Sequence, residues 1–241
     1  MSKGNAFIGE LQSLSDLQKD SILKMMHGGG FRGELFPHQI QAVHRIVNRA
    51  IRGYADGHRV QSTLCCDECG LGKTITALAV ACCLKSAIRC NTQSPFYTAS
   101  ADRPILILAP LSLVEQWREQ ICKFTIYSNN SIITYQGSQR SKYNYDLRAG
   151  RAEFVIANYD SLRLAFQKGW VPSKSPFTTI IGKKRVIGYS TTYERGEGHP
   201  LIDATWGYIV MDEVRKRKKT GFVYLCFTHV VICSTDTCRE K

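Results

Sequence analysis

A chain of 241 residues suits one large domain with appendages, and a composition of 44% hydrophobic and 22% charged residues excludes disordered, collagen-like and fibrous classes. The net charge of +12 favours a polyanionic partner; seven basic and two acidic residues after Glu213 supply part of it, and the first 213 residues stay basic without them. The longest apolar stretch, Phe222 to Cys233, has twelve positions against the roughly 18 a membrane helix needs, and the polar amino terminus is no secretory signal, so the ten cysteines read as reduced thiols.

In chain order, residues 11–27 predict a helix halted by Gly28-Gly29-Gly30. Between His38 and Tyr54 the apolar positions Ile40, Val43, Val47, Ile51 and Tyr54 follow a 3.6-residue stripe, an amphipathic helix. Residues 62–66 (STLCC) form a short strand running into glycines, and Ile75 to Leu84 a buried helix. Residues 104–110 predict a core strand, Ser112 to Phe124 a helix, and 131–135, 153–158 and 206–213 three further strands. Continuous apolar strands alternating with helices predict an α/β fold, a mainly parallel sheet with helices on both faces. The stretch 168–205, with Pro172, Pro176 and several glycines, reads as an insertion with a hairpin around Gly182-Lys183-Lys184.

The sharpest chemical signal is Asp67-Glu68-Cys69-Gly70-Leu71-Gly72-Lys73-Thr74, set between a strand and a helix. A nucleoside triphosphate needs inward-facing backbone N–H groups, a helix amino terminus, a lysine for its outer phosphates and a hydroxyl for Mg²⁺. Gly70 and Gly72 let the backbone approach, Lys73 supplies the charge and Thr74 the metal-binding oxygen; the general P-loop pattern has a glycine where this chain has Asp67. Asp212-Glu213 closes an apolar strand far downstream, where one carboxylate can hold Mg²⁺ and its neighbour can orient an attacking water. Cys66 and Cys69 have no second cysteine pair at zinc spacing, so no zinc is expected. Trp117 reads as core packing.

These motifs, in this order, resemble the Swi/Snf-type chromatin-remodelling ATPases of helicase superfamily two, from about Leu35 to Glu213. Leu35-Phe36-Pro37-His38-Gln39 is similar to the segment whose glutamine reads adenine, and DECGLGKT to the family's DEMGLGKT, which accounts for Asp67. Ile107 to Leu113 with Gln116-Trp117 resembles a block touching the DNA backbone, as does Asn158-Tyr159-Asp160-Ser161-Leu162, while Tyr135-Gln136-Gly137 and Arg140 resemble a short block between them. The resemblance implies a RecA-like P-loop lobe of a double-stranded DNA translocase, ATP and Mg²⁺ as cofactors, DNA or chromatin as partner, and a nuclear location. It assigns Lys73, Asp212 and Glu213 to catalysis, Gln39, Gly70, Gly72, Lys73 and Thr74 to nucleotide binding, Thr74 and Asp212 to Mg²⁺, and Ser112 and Asn158 to DNA phosphates. Short polar side chains at such turns serve equally as caps, and that reading of Ser112 and Asn158 stays open.

After Asp212-Glu213 the resemblance breaks. The family continues Ala-His; this chain continues Val214-Arg215-Lys216-Arg217-Lys218-Lys219. Glu213-Val214-Arg215 is compatible with a splice-donor codon pattern, so 214–241 reads as an aberrant tail, a translated intron. The resulting organisation is a helical extension at 1–30, the lobe at 31–213 and the tail at 214–241, with no second lobe to donate arginine fingers. Weak nucleotide binding and little hydrolysis are expected of the chain alone. The rival readings are a non-catalytic nucleotide- or DNA-binding fragment and an unrelated P-loop ATPase.

Overall fold

Short apolar strands that lack a polar face are stable only when buried on both sides. The computed structural model describes residues 14–55, 61–65, 70–90, 103–137, 142–148, 151–181, 184–196, 198–213 and 229–233. Helix α1 (Asp16–Gly28) starts at a capping box in which Ser15 and Gln18 each accept from the other's backbone N–H, at 3.3 and 3.0 Å. Helix α2 (Pro37–Ala55) begins on proline, which needs no hydrogen-bond partner there. Strand β1 (Gln61–Cys65) and helix α3 (Lys73–Cys90) flank the glycine loop. Then come β2 (Ile105–Ala109), α4 (Val114–Phe124), β3 (Ile132–Tyr135), α5 (Asn144–Arg148), β4 (Phe154–Asn158) and α6 (Tyr159–Gly169). Two long strands, β5 (Trp170–Ile181) and β6 (Lys184–Arg195), precede α7 (Pro200–Asp203), β7 (Tyr208–Asp212) and β8 (His229–Cys233).

Six strands form one parallel sheet in the order β1-β8-β7-β2-β4-β3. Its two faces follow strand alternation. Ile105, Ile107, Phe154, Ile156, Tyr208 and Val210 pack with α1 to α4, whereas Leu106, Leu108, Val155, Ala157, Ile209 and Met211 pack with α5 to α7. The expected α/β architecture with helices on both faces is thus the one observed. Helix α1, read as an extension, buries Ile22 and Met26 in the first of these cores.

Three features differ from the sequence reading. Residues 159–169, noted only for their motif, are helix α6. The hairpin expected near Gly182 is longer than a local turn, with β5 and β6 paired antiparallel over twelve residues each. Strand β8 comes from the tail expected to be foreign to the lobe, yet it pairs with β1 on one side and β7 on the other. An apolar, β-branched run such as HVVIC fits a parallel strand with neighbours on both edges. Asp67 to Cys69, Arg140 and 214–228 lie outside the described residues.

Candidate nucleotide site and neighbouring cleft

Because the strands are parallel, β1, β2, β4 and β7 all end on one edge, and the loops after them meet there. The turn before α3 carries positive φ at Gly70 (87°) and Gly72 (76°), a conformation that costs an L side chain about 1–2 kcal/mol per residue. A Cβ on Gly72 would also collide with Gln39 Nε2. Lys73 and Thr74 then open an 18-residue helix whose first N–H groups lack intrahelical partners, the setting in which anions bind. Thr76 returns its hydroxyl to the Gly72 carbonyl at 3.2 Å, tying the turn to the helix.

Gly70, Gly72, Lys73 and Thr74 line a cleft of about 400 Å³ together with Trp117, Asp212 and Glu213. Trp117 is buried and donates its indole N–H to Asp212 Oδ2 at 2.9 Å, while the Tyr159 hydroxyl donates to the Asp212 carbonyl at 2.5 Å. Burial pushes the Asp212 carboxyl above the ordinary carboxylate range, and the neighbouring Glu213 adds to this; the Trp117 and Glu213 N–H bonds and the Lys73 ammonium act in the opposite direction. Glu213 is buried and holds φ 54°, the only non-glycine residue with positive φ among those described. The donor set suits a triphosphate with a hard divalent cation: one hydroxyl, two carboxylates, one ammonium and glycine amides at a helix start.

The other sequence-predicted residues lie outside this lining. Gln39 is 4% exposed; its Oε1 accepts from Phe36 N at 2.9 Å and its Nε2 donates to the Leu71 carbonyl at 3.1 Å, which braces the loop from behind. Ser112 is exposed in a 3₁₀ turn, Leu111–Leu113, between one residue lining this first cleft (Leu113) and one lining a second cleft (Leu111). That second cleft, about 790 Å³, is lined by Arg118, Gln136, Asn158 and Ser161 among others. Asn158 Oδ1 accepts the Ser161 N–H at 2.7 Å, so this side chain caps α6.

Sequence reasoning missed two parts of the site. Trp117 is core packing and also the donor that holds Asp212; the Gln116-Trp117 pair was visible, but the 95-residue separation hid its partner. Tyr159 is the other, its hydroxyl reaching the Asp212 backbone. Among the described residues no group of three or more His, Cys, Asp or Glu is placed to hold a metal ion, and no helix is long and apolar enough to cross a membrane.

Residues 38–225 match the SNF2-related domain family, a match that continues past Glu213. The chain is 27% identical over 195 residues to Protein CHROMATIN REMODELING 4 of Arabidopsis thaliana, covering 78% of this chain and 7% of that protein. It is 24% identical over 160 residues to Chromodomain-helicase-DNA-binding protein 8 of Danio rerio (66% and 5%), and 22% identical over 198 residues to the Homo sapiens protein of that name (81% and 6%). The chain therefore spans less than a tenth of the length of these curated relatives. Among solved structures, the Sulfolobus solfataricus SWI2/SNF2 ATPase core domain aligns with TM-score 0.49 at 15% identity, over 85% of this chain and 32% of that one. The Pyrococcus furiosus Hef helicase domain aligns with TM-score 0.45 at 16% identity, over 80% and 33%.

Proposed function

The chain belongs to the SNF2-related domain family, a helicase-like ATPase domain of chromatin remodellers, and on that premise we propose that it is the ATP-binding RecA-like lobe of a DNA-dependent ATPase. The observation that carries this is one cleft: Lys73 and Thr74 line it together with Asp212 and Glu213, brought together from distant parts of the chain. The Lys73 ammonium and the α3 amino terminus neutralise the β- and γ-phosphates, and the amides around Gly70 and Gly72 bond their oxygens. Thr74 and Asp212 would hold Mg²⁺, which when bound would offset phosphate charge in the transition state. The Trp117 indole fixes the Asp212 carboxylate through Oδ2. Glu213 orients the attacking water. Gln39 takes the adenine by exchanging one of its two present bonds.

Duplex DNA is the proposed polymer partner, and the nucleus the proposed location. Ser112 and Asn158 sit on the same sheet edge, and Asn158 keeps its amide nitrogen for a phosphate while its oxygen caps α6. No arginine lines the nucleotide cleft among the described residues. An arginine reaching such a site from outside is worth about 10³–10⁵ in rate, so this lining by itself is expected to hydrolyse ATP slowly.

Titration with a fluorescent ATP analogue, with and without Mg²⁺, tests the site. Lys73→Ala is expected to weaken binding at least about tenfold, the equivalent of about 1.4 kcal/mol, and Asp212→Asn to remove the Mg²⁺ dependence. Binding indifferent to both changes would refute the assignment. Fast DNA-stimulated phosphate release by the chain alone would refute the need for an external arginine.

A further inference from the structure

The β5–β6 hairpin takes no part in either cleft, and the proposed ATPase chemistry leaves it unexplained. Its strands run twelve residues each, about 40 Å at 3.3 Å per residue, longer than one turn of duplex DNA (~34 Å). Residues 170–195 contain five basic side chains and one acidic one. The register places Thr178 opposite Ile187, Pro176 opposite Tyr189 and Ile180 opposite Arg185. Alternation therefore puts Lys174, Pro176, Thr178 and Ile180 on one face with Arg185, Ile187 and Tyr189.

All seven are exposed, Ile180 by 72%, Ile187 by 63% and Tyr189 by 66%. The acidic Glu194 falls on the opposite face, which by register mixes hydroxyl residues (Ser173, Ser175, Thr179, Ser190, Thr192) with Phe177, Val186 and Lys184; there Phe177 lies over Gly188, whose added Cβ would meet the ring at 2.5 Å. The first face thus carries cations and apolar side chains with no acidic one, and its seven named residues are exposed. Lys174 and Arg185 form no ion pair among the described residues. The hairpin is also rooted beside the second cleft. His199, just beyond β6, has its Nε2 3.4 Å from the hydroxyl of Tyr135, the residue before the cleft-lining Gln136.

We propose that the β5–β6 ribbon is a DNA-binding arm that lies along a groove of the duplex engaged by the lobe. This rests on the DNA-dependent reading above. A two-stranded ribbon fits the major groove, about 12 Å wide. On this face Lys174 and Arg185 contact phosphates, while Ile180, Ile187 and Tyr189 pack against sugars. Charge complementarity selects a polyanion; the apolar residues interleaved with the cations favour a groove over a flat anionic surface. The arm adds affinity without sequence preference, since its cations read only the backbone.

The test is fluorescence-anisotropy titration of the full chain against a labelled 30-base-pair duplex across a salt series. Lys174→Ala/Arg185→Ala is expected to weaken binding about three- to tenfold and to lower the slope of log affinity against log salt by roughly 1.8, two phosphate contacts at about 0.9 each. Ile180→Ser/Ile187→Ser is expected to weaken binding with the slope unchanged. Both pairs are exposed, and nucleotide-analogue binding equal to wild type checks that the variants fold. If either pair binds the duplex as wild type does, the arm is refuted while the ATPase reading stands. Displacement of duplex from the arm by polyglutamate at equal charge concentration also refutes it, since it would identify an acidic-protein surface. A wild-type chain that binds no duplex at low salt takes the DNA-dependent reading down as well.

Discussion

At Glu213 the backbone and the chemistry compete. A buried, non-glycine residue with φ 54° is held where L side chains are disfavoured by about 1–2 kcal/mol. The position cannot relax, because the preceding residue is clamped by Trp117 on its side chain and Tyr159 on its carbonyl. Glycine should therefore fit better than alanine here, against the usual order in which alanine wins. Glu213→Gly is expected to unfold at higher urea than Glu213→Ala, by about 1 kcal/mol in stability, and both variants to lose hydrolysis. Alanine equal to or above glycine would mean that the turn rearranges when the carboxylate is removed. The strain is local, and its persistence at the acidic pair fits a site that trades stability for geometry.

Individual elements carry double duties that a motif alone does not separate. Asn158 ends β4 and caps α6, so Asn158→Ala should cost about 1 kcal/mol through the cap whether or not DNA is bound. Asn158→Asp keeps the cap oxygen and places a negative charge where a phosphate would sit. Thermal unfolding near wild type together with weakened duplex binding is the expected pattern for Asn158→Asp; unaltered duplex binding would leave Asn158 as a cap alone. Much at this scale was legible: β2, β4 and β7 are unbroken apolar runs with flanking turns, and α2 announces itself by its stripe. Helix α6 was not, since its buried positions Tyr159, Ser161, Leu162 and Ala165 crowd toward its start and set no sustained 3.6-residue stripe. The hairpin around Gly182 is legible as a turn inside an insertion, but the twelve-residue length of its strands is not, because they bury little and alternate weakly.

At the scale of the molecule, the geometry of the proposed nucleotide cleft depends on the last of the described strands, β8. β1, which delivers the glycine loop, lies at the end of the sheet, and its strand neighbour is β8. β8 in turn joins β7, which delivers Asp212, with Cys233 registered against both Cys65 and Asp212. The separation between loop and acidic pair is therefore set by a strand from the segment where the family resemblance fades. Ending the chain at Glu213 should leave β1 without a strand partner and expose the edge of β7, an invitation to aggregation. Loss of cooperative unfolding and of nucleotide-analogue binding in that shortened chain is the expected result. Wild-type values for both would make the residues after Glu213 dispensable.

The amino-acid order alone determined the local chemistry and the layer arrangement. Glycines before Lys73-Thr74, a carboxylate pair closing an apolar strand, and alternating strands and helices are short-range patterns, written within a dozen residues each. Only the tertiary structure decided that Trp117 anchors Asp212, that Gln39 braces the loop through Leu71, and that His229–Cys233 separates β1 from β7. Each of those is a contact between residues far apart in the chain. Long-range pairing is chosen by competition among all the buried surfaces and backbone edges at once, which no local window contains.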